Sequence, residues 1–435
     1  AGRACLTGDH PSESQQQPDT AAKRMENDGR HRAAMWQLPY PSSPASGGHE
    51  GSRTWAKTAA APMDQRQPPL VRRLATELAI RRKYSAARGA SVGCAALSVL
   101  AVQRALERGT VGGPLARAAS SLWARACGPS IVRRLALPAG ARVVCVGGST
   151  LGGSGKTPLA IACAAELAAA GARVALVGHA YRADPRHARL VTPGDSIADV
   201  GDEALLAARA LALLPPASRA CVVVAPRRAD AIALAARHAD VLVLDGIAQT
   251  APRRASLSLL AVDADEPWGH AAALPPCGDL RAPIAVLLAA CDLTVRVGEG
   301  ENRQDAKAPE DGESSPTLLS WRPGALAVSR STRRVGLLCA LARPERVIRF
   351  LARRGITPLA VVRAADHGPF PPAVLDRARA RARSARLDVW HATSKCALHL
   401  PQDADRELGA PLEVLDHTLA LDPALVARLR ALVAA

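Results

Sequence analysis

Between residues 143 and about 292, short apolar runs alternate with longer stretches in which alanine and leucine recur at helical spacing. The runs 143–146, 173–177, 221–224, 241–244 and 259–262 have the length and aliphatic content of strands. Between several of them, 157–170, 203–214 and 228–238 keep a period of three to four. Such alternation predicts right-handed crossovers, hence an α/β fold with a mainly parallel sheet and helices on both faces. A polar stretch, 298–316, has the composition of a surface loop, and beyond it 335–342, 359–362 and 387–390 predict strands of a second α/β unit. The pattern therefore divides the chain into a core at 141–297, a polar linker at 298–330 and a smaller C-terminal α/β domain at 331–435.

Upstream the texture differs. Residues 1–68, rich in Gln, Ser, Pro, Asp and Gly without a sustained period, read as a disordered leader. Residues 69–140 read as a helical N-terminal segment. Within it Arg72, Arg73, Arg81, Arg82, Lys83 and Arg88 precede an uncharged stretch, 89–103, too short to span a bilayer. A basic flank beside an apolar helix suits an anionic membrane surface; packing on the domain is the alternative.

Composition sharpens this only slightly. Of 435 residues 48% are apolar but 3% aromatic, so the core is expected from Ala, Leu and Val. A net charge of +17 points to an anionic partner without choosing among nucleotide, membrane and nucleic acid. The ten cysteines form no C-x-x-C pair, which argues against a zinc module or a disulfide scaffold.

The chemistry begins where the strand at 143–146 runs into "GGSTLGGSGKTP" and then a helix. A phosphate cradle needs glycines that turn backbone N–H groups inward, a lysine for the β/γ-phosphates and a hydroxyl for Mg2+. Thr150, Leu151, Gly152, Gly153, Ser154, Gly155, Lys156 and Thr157 form such a loop, except that Thr150 stands where the usual pattern has glycine. Pro158 suits the first helical turn. Asp245, after "VLVL", occupies the strand end where phosphate-loop folds carry a second metal-site carboxylate; a turn or cap is its simpler role. Asp202 in "VGDEALL", taken alone, reads as a helix cap.

The loop resembles "VGNxTVGGTGKTP" of the tetraacyldisaccharide 4′-kinase (lipid A 4′-kinase) family, in which threonine also stands at the position of Thr150. Further runs are similar in order: "VGDEALLAAR" to "VGDEPLLLAR", "CGDLRAP" to "GPLREP", "ARPER" to "GNPERF", "DHGPF" to "DHHxF" and "TSKCALHLP" to "TxKDAVKL". Arg228 follows a strand as an arginine does in the family. The resemblance implies a phosphate-loop NTPase-like kinase using ATP and Mg2+, with Thr157 and Asp245 at the metal and Lys156 at the phosphates. It also implies that Asp202 acts with His367 in deprotonating the sugar 4′-hydroxyl. The implied substrate is a lipid disaccharide, met peripherally at the cytoplasmic, anionic face of the inner membrane of a Gram-negative bacterium. No obligate protein partner is implied.

Departures from the family pattern open an alternative. Its "LDDGxQH" is "LDGIAQT" here, so Gly246 and Thr250 replace an aspartate and a histidine. Gly148 stands for asparagine, Gly368 for the second histidine of "DHH" and Cys396 for an aspartate; of "SRGYG" only Tyr181 persists. A relative that binds nucleotide or lipid without turnover is therefore the second reading, and another phosphate-loop NTPase the third. No N-K-x-D motif supports a GTPase. With three Tyr and two Phe for base stacking, a nucleic-acid partner is not expected.

Overall fold

The computed structural model describes residues 102, 105–298, 317–320, 333–364, 367–401, 403–416 and 418–434. The leader expected at 1–68, and all of the basic apolar stretch except residue 102, lie outside them, as does most of the linker at 298–330. In chain order the strands are β1 Val132–Arg134, β2 Arg142–Gly148, β3 Arg173–Val177, β4 Arg189–Val191, β5 Arg219–Val224, β6 Val241–Asp245, β7 Gln249–Ala251, β8 Leu257–Asp263, β9 Leu293–Gly298, β10 Thr317–Ser320, β11 Val335–Cys339, β12 Ala360–Arg363, β13 Val389–Thr393, β14 Leu412–Leu415 and β15 Thr418–Leu419. The helices are α1 Pro114–Cys127, α2 Lys156–Ala169, α3 Ile197–Val200, α4 Asp202–Leu211, α5 Arg228–His238, α6 Ile284–Ala290, α7 Pro344–Arg353, α8 Pro372–Ala385, α9 Ser394–Ala397, α10 Ala404–Glu407 and α11 Pro423–Ala434.

Nine strands form the main sheet in the order β15-β10-β9-β8-β2-β6-β3-β5-β4. Its neighbours pair in parallel except at the two edges, β10–β15 and β5–β4. Covered on both faces, β6 and β8 are buried at every position, which is why 241–244 and 259–262 within them read as unbroken apolar runs. The period of two then divides β2 between two cores. Val144 and Val146 meet Leu159, Cys163 and Leu167 of α2 on one face. Val143 and Cys145 share the other with Ile232 and Ala235 of α5.

A second sheet, β12-β11-β13-β14, is wholly parallel. Leu338 and Trp390 pack with Val374 and Leu375 of α8 on one face, and Leu337 and Val389 with Val347 and Phe350 of α7 on the other.

Three features differ from the sequence reading. Residues 132–134, expected within a helical segment, pair in parallel with β7; three residues are too few to show a period. β9 carries Thr294 and Arg296 between apolar positions, and its partner β10 lies inside the expected linker. Finally, the C-terminal residues do not stay with the second sheet. β15 closes one edge of the first, and Leu425 and Leu429 of α11 join the core beneath α2.

Candidate active site

β2 and β6 lie side by side with Val146 opposite Asp245, so sheet register alone brings the glycine-rich loop and the Asp245 carboxylate together at the strands' carboxyl ends. α2 starts at Lys156, and its N-cap Gly155 has φ 85°, a left-handed conformation that side chains adopt reluctantly. No side chain caps this end, so the first N–H groups of α2 face outward with the positive end of the helix dipole.

The loop residues divide into two groups. Residues 151–157 line a cleft that continues to Glu203, Asp263, Arg346, His367 and Lys395. Thr150, a residue predicted to bind the nucleotide, has its side chain beneath the loop. It is 1% exposed, pairs with Leu280 in an isolated antiparallel bridge, and donates to the Gly152 carbonyl at 2.7 Å. Its short, branched side chain braces the turn from behind. Gly148 leaves room for the Ser154 hydroxyl, which lies 2.2 Å from where a Cβ would stand.

Thr157 donates to Asp245 Oδ2 at 2.7 Å, while Asp245 Oδ1 is buried with no hydrogen-bond partner. Burial raises the Asp245 carboxyl pKa, with Lys156 opposing. A hydroxyl and a carboxylate with a free oxygen suit a hard divalent cation, which takes its other ligands from phosphates and water. Among the described residues no group of three His, Cys, Asp or Glu is arranged to hold a metal by itself.

Lys156 Nζ donates to Glu203 Oε1 at 3.1 Å. Burial works against the Glu203 charge, but Lys156, Lys395 and His367 outweigh it and hold the carboxyl below its usual range. Adjacent Asp202, at the start of α4, is 2% exposed. His367 Nδ1 lies 3.0 and 2.9 Å from its two oxygens, so the pair predicted across the chain is in contact. His399 Nε2 stands 3.0 Å from Oδ2, the Glu203 amide donates to Oδ1 at 2.8 Å, and Lys395 Nζ lies 3.6 Å from Oδ2. Burial again opposes the charge; the two imidazole hydrogen bonds and Lys395 prevail and hold the Asp202 carboxyl well below the carboxylate range.

This arrangement fixes the imidazole. With Nδ1–H donating to Asp202, His367 Nε2 is the acceptor for Lys395 Nζ at 3.3 Å. His367 has φ 56°, a strained value that aims its ring inward, and the Tyr181 ring meets it edge-on with centroids 4.9 Å apart. Asp366 of the same motif lies outside the described residues.

Sequence reasoning left out Glu203, Lys395, His399 and the arginines of α7. Arg346 donates to the Gly153 carbonyl at 2.7 Å and forms an ion pair of the same length with buried Asp263, not aligned as a hydrogen bond. Arg343 donates to Asp279 at 2.6 Å, and its stem lies 2.7 Å from where a Cβ on Gly153 would stand. Arginines at 343, 346, 349 and 353 keep helical spacing, a signal visible in "ARPERVIRFLAR". Arg346→Ala leaves Asp263 buried without its cation, and a loss of about 3 kcal/mol is expected in denaturant unfolding. Freed from Arg346, the Gly153 turn is also expected to raise the KM for nucleotide.

Gly246 has φ 82°, and a Cβ there would come no closer than 3.8 Å to Lys156 and Arg228. Arg228 donates to the carbonyls of Val177 and Gly178 at 2.9 and 2.8 Å, capping β3. Thr250 lies in β7 and donates to the Arg253 carbonyl at 2.9 Å.

Comparison with known proteins points to one family. The LpxK family model, tetraacyldisaccharide-1-P 4′-kinase, matches residues 115–434. A tetraacyldisaccharide 4′-kinase of Xanthobacter autotrophicus is 36% identical over 295 residues, covering 65% of this chain and 82% of that protein. One from Methylobacterium nodulans is 31% identical over 318 residues, covering 72% and 89%. Among solved structures, LpxK from Aquifex aeolicus, described as an "apo" form in complex with ATP, superposes with a TM-score of 0.50 at 17% identity, covering 72% of this chain and 96% of that one. That likeness concerns the fold. With its family model matched from α1 to α11, the chain belongs to the tetraacyldisaccharide 4′-kinase family.

Proposed function

We propose that this chain transfers the γ-phosphoryl group of ATP to the 4′-hydroxyl of a tetraacylated glucosamine disaccharide 1-phosphate, a step of lipid A synthesis. The observation that carries the reading is the contact of Asp202 with His367, whose ring lines the same cleft as the phosphate loop, in a chain of this family. Lys156 and the N–H groups at the start of α2 hold the β- and γ-phosphates and stabilise the charge on the transferred group. Thr157 and Asp245 hold Mg2+, which neutralises phosphate charge when bound. Asp202 accepts the hydrogen bond of the 4′-hydroxyl and then its proton.

The depressed pKa of Asp202 bears on that last role. A carboxylate this acidic is a weak base toward a neutral alcohol. It suits a loose transition state, in which the hydroxyl loses its proton late and the carboxylate mainly sets the line of attack. His367 fixes the carboxylate through Nδ1, and Lys395 fixes His367 through Nε2.

We place the chain peripherally, at the cytoplasmic face of a Gram-negative inner membrane. Among the described residues no helix is long and apolar enough to cross a membrane. On α1, however, Leu115 and Leu122 are 80% and 64% exposed, and Arg117 and Arg125 are exposed beside them. Apolar anchors with adjacent arginines suit an anionic lipid surface. Flotation with anionic vesicles is expected to carry the wild-type protein, and Leu115→Ser with Leu122→Ser to leave more of it behind.

The deciding experiment supplies purified protein with ATP, Mg2+ and the disaccharide and follows the gain of one phosphate at the 4′-position. Product at a rate that scales with enzyme is expected. Saturable ATP binding without product would instead favour the reading that Gly246 and Thr250 mark a chain that binds but does not turn over.

A further inference from the structure

We infer that His399 is a second positioning residue for Asp202, fixing the carboxylate that meets the acceptor hydroxyl. This rests on the kinase reading above. His399 is 6% exposed, and its Nε2 lies 3.0 Å from Asp202 Oδ2. His367 and Lys395 line the cleft, while His399 and Asp202 lie behind them in contact with each other, so His399 acts through Asp202.

The need for it follows from the hydrogen bonds. His367 Nδ1 stands at nearly equal distance from both oxygens, 3.0 and 2.9 Å, so its one N–H is shared between them. A shared hydrogen does not stop the carboxyl plane from rocking about the Cβ–Cγ bond. Two further donors arrive from opposite ends: the Glu203 amide reaches Oδ1 at 2.8 Å and His399 reaches Oδ2. Together they select one plane. Without His399, Oδ2 keeps only its part of the His367 bond and Lys395 at 3.6 Å.

The fold holds this donor firmly. His399 follows α9, where its amide donates to the Cys396 carbonyl at 3.1 Å. Its carbonyl accepts from the Phe370 amide at 3.2 Å, which ties the segment of His399 to the turn that carries His367. Lys395 precedes His399 by four residues, the spacing that puts two side chains on one side of a helical turn. One turn of chain thus supplies a contact to His367 and a contact to the carboxylate that His367 holds.

The test measures kcat, KM and melting temperature for wild type, His399→Ala and His399→Gln, and for His399→Ala in an Asp202→Asn background. His399→Ala is expected to lower kcat about tenfold with both KM values unchanged, as misalignment of a positioned group does. His399→Gln presents an N–H at similar reach and is expected to return to within about threefold of wild type. In the Asp202→Asn background the same removal is expected to cost nothing further. The inference is overturned if His399→Ala keeps wild-type kcat. It is equally overturned if His399→Gln melts like wild type yet stays as slow as alanine, or if the loss persists in full without the Asp202 carboxylate. A wild-type protein with no turnover removes the kinase reading and this role with it; an active wild type with an indifferent His399 removes only this role.

Discussion

Asp202→Asn is expected to lower kcat by about 1,000-fold while leaving nucleotide affinity near wild type. The carboxylate receives N–H groups from His367, His399 and the Glu203 backbone and donates nothing. An asparagine keeps one acceptor, and its amide group must face a donor. The residue then loses both its basicity and its orientation, whereas the phosphate loop is untouched. Single-turnover transfer with saturating ATP measures the first effect and nucleotide titration the second. The same variant reports on stability. Because folding holds the Asp202 carboxyl below its ordinary value of 3.8, its contribution is complete above that value and is lost as pH falls below it. The gap in melting temperature between wild type and Asp202→Asn is therefore expected to be constant above about pH 5 and to narrow toward about pH 3.

Lys156→Ala is expected to lower kcat/KM by about 100- to 1,000-fold, the scale for losing one preorganised donor to developing charge. Lys156 sits at the first position of α2 and reaches Glu203, the neighbour of Asp202, at 3.1 Å. Its removal deprives the phosphates of a cation and leaves Glu203 buried without its nearest partner. Both effects oppose bound nucleotide, since an uncompensated carboxylate repels phosphate. Accordingly, Lys156→Ala is expected to weaken ATP binding as well as transfer, in contrast to Asp202→Asn. Binding and single-turnover measurements on the two variants separate the roles. Full activity in Lys156→Ala would remove this loop as the site.

The core of the fold was legible because burial on both sides of a parallel sheet leaves a plain mark. The predicted run 173–177 is β3, and 241–244 is β6 less its terminal Asp245. What lay beyond reading was of two kinds. Strands such as β1 and β15 have three and two residues, too short to hold a period, and are defined by their partners. Long-range chemistry was hidden in the same way. Asp202 and His367 lie 165 residues apart, and only resemblance to a family paired them; spacing says nothing about such a contact. His399 lies inside the run "TSKCALHLP", but nothing in that resemblance marked it for the site. The arginines of α7 were visible as a spaced row, but a row of arginines on a helix usually faces water, and only the fold turns Arg346 toward the loop. Thr150 shows the reverse, since membership of a loop does not decide which way a side chain points.

The return of residues 418–434 to the first sheet sets the order in which its core can close. β15 completes the sheet's edge, Leu425 and Leu429 fill the core against α2, and Arg430 pairs with Glu166 on α2 at 2.7 Å. The contacts of α11 with α2 join distant residues, Arg430 and Glu166 being 264 positions apart. On a ribosome α2 is made well before β15 and α11, which supply part of its cover. The half that holds nucleotide therefore cannot close its core as an independent unit, and keeps apolar surface exposed until residues 418–434 have been added.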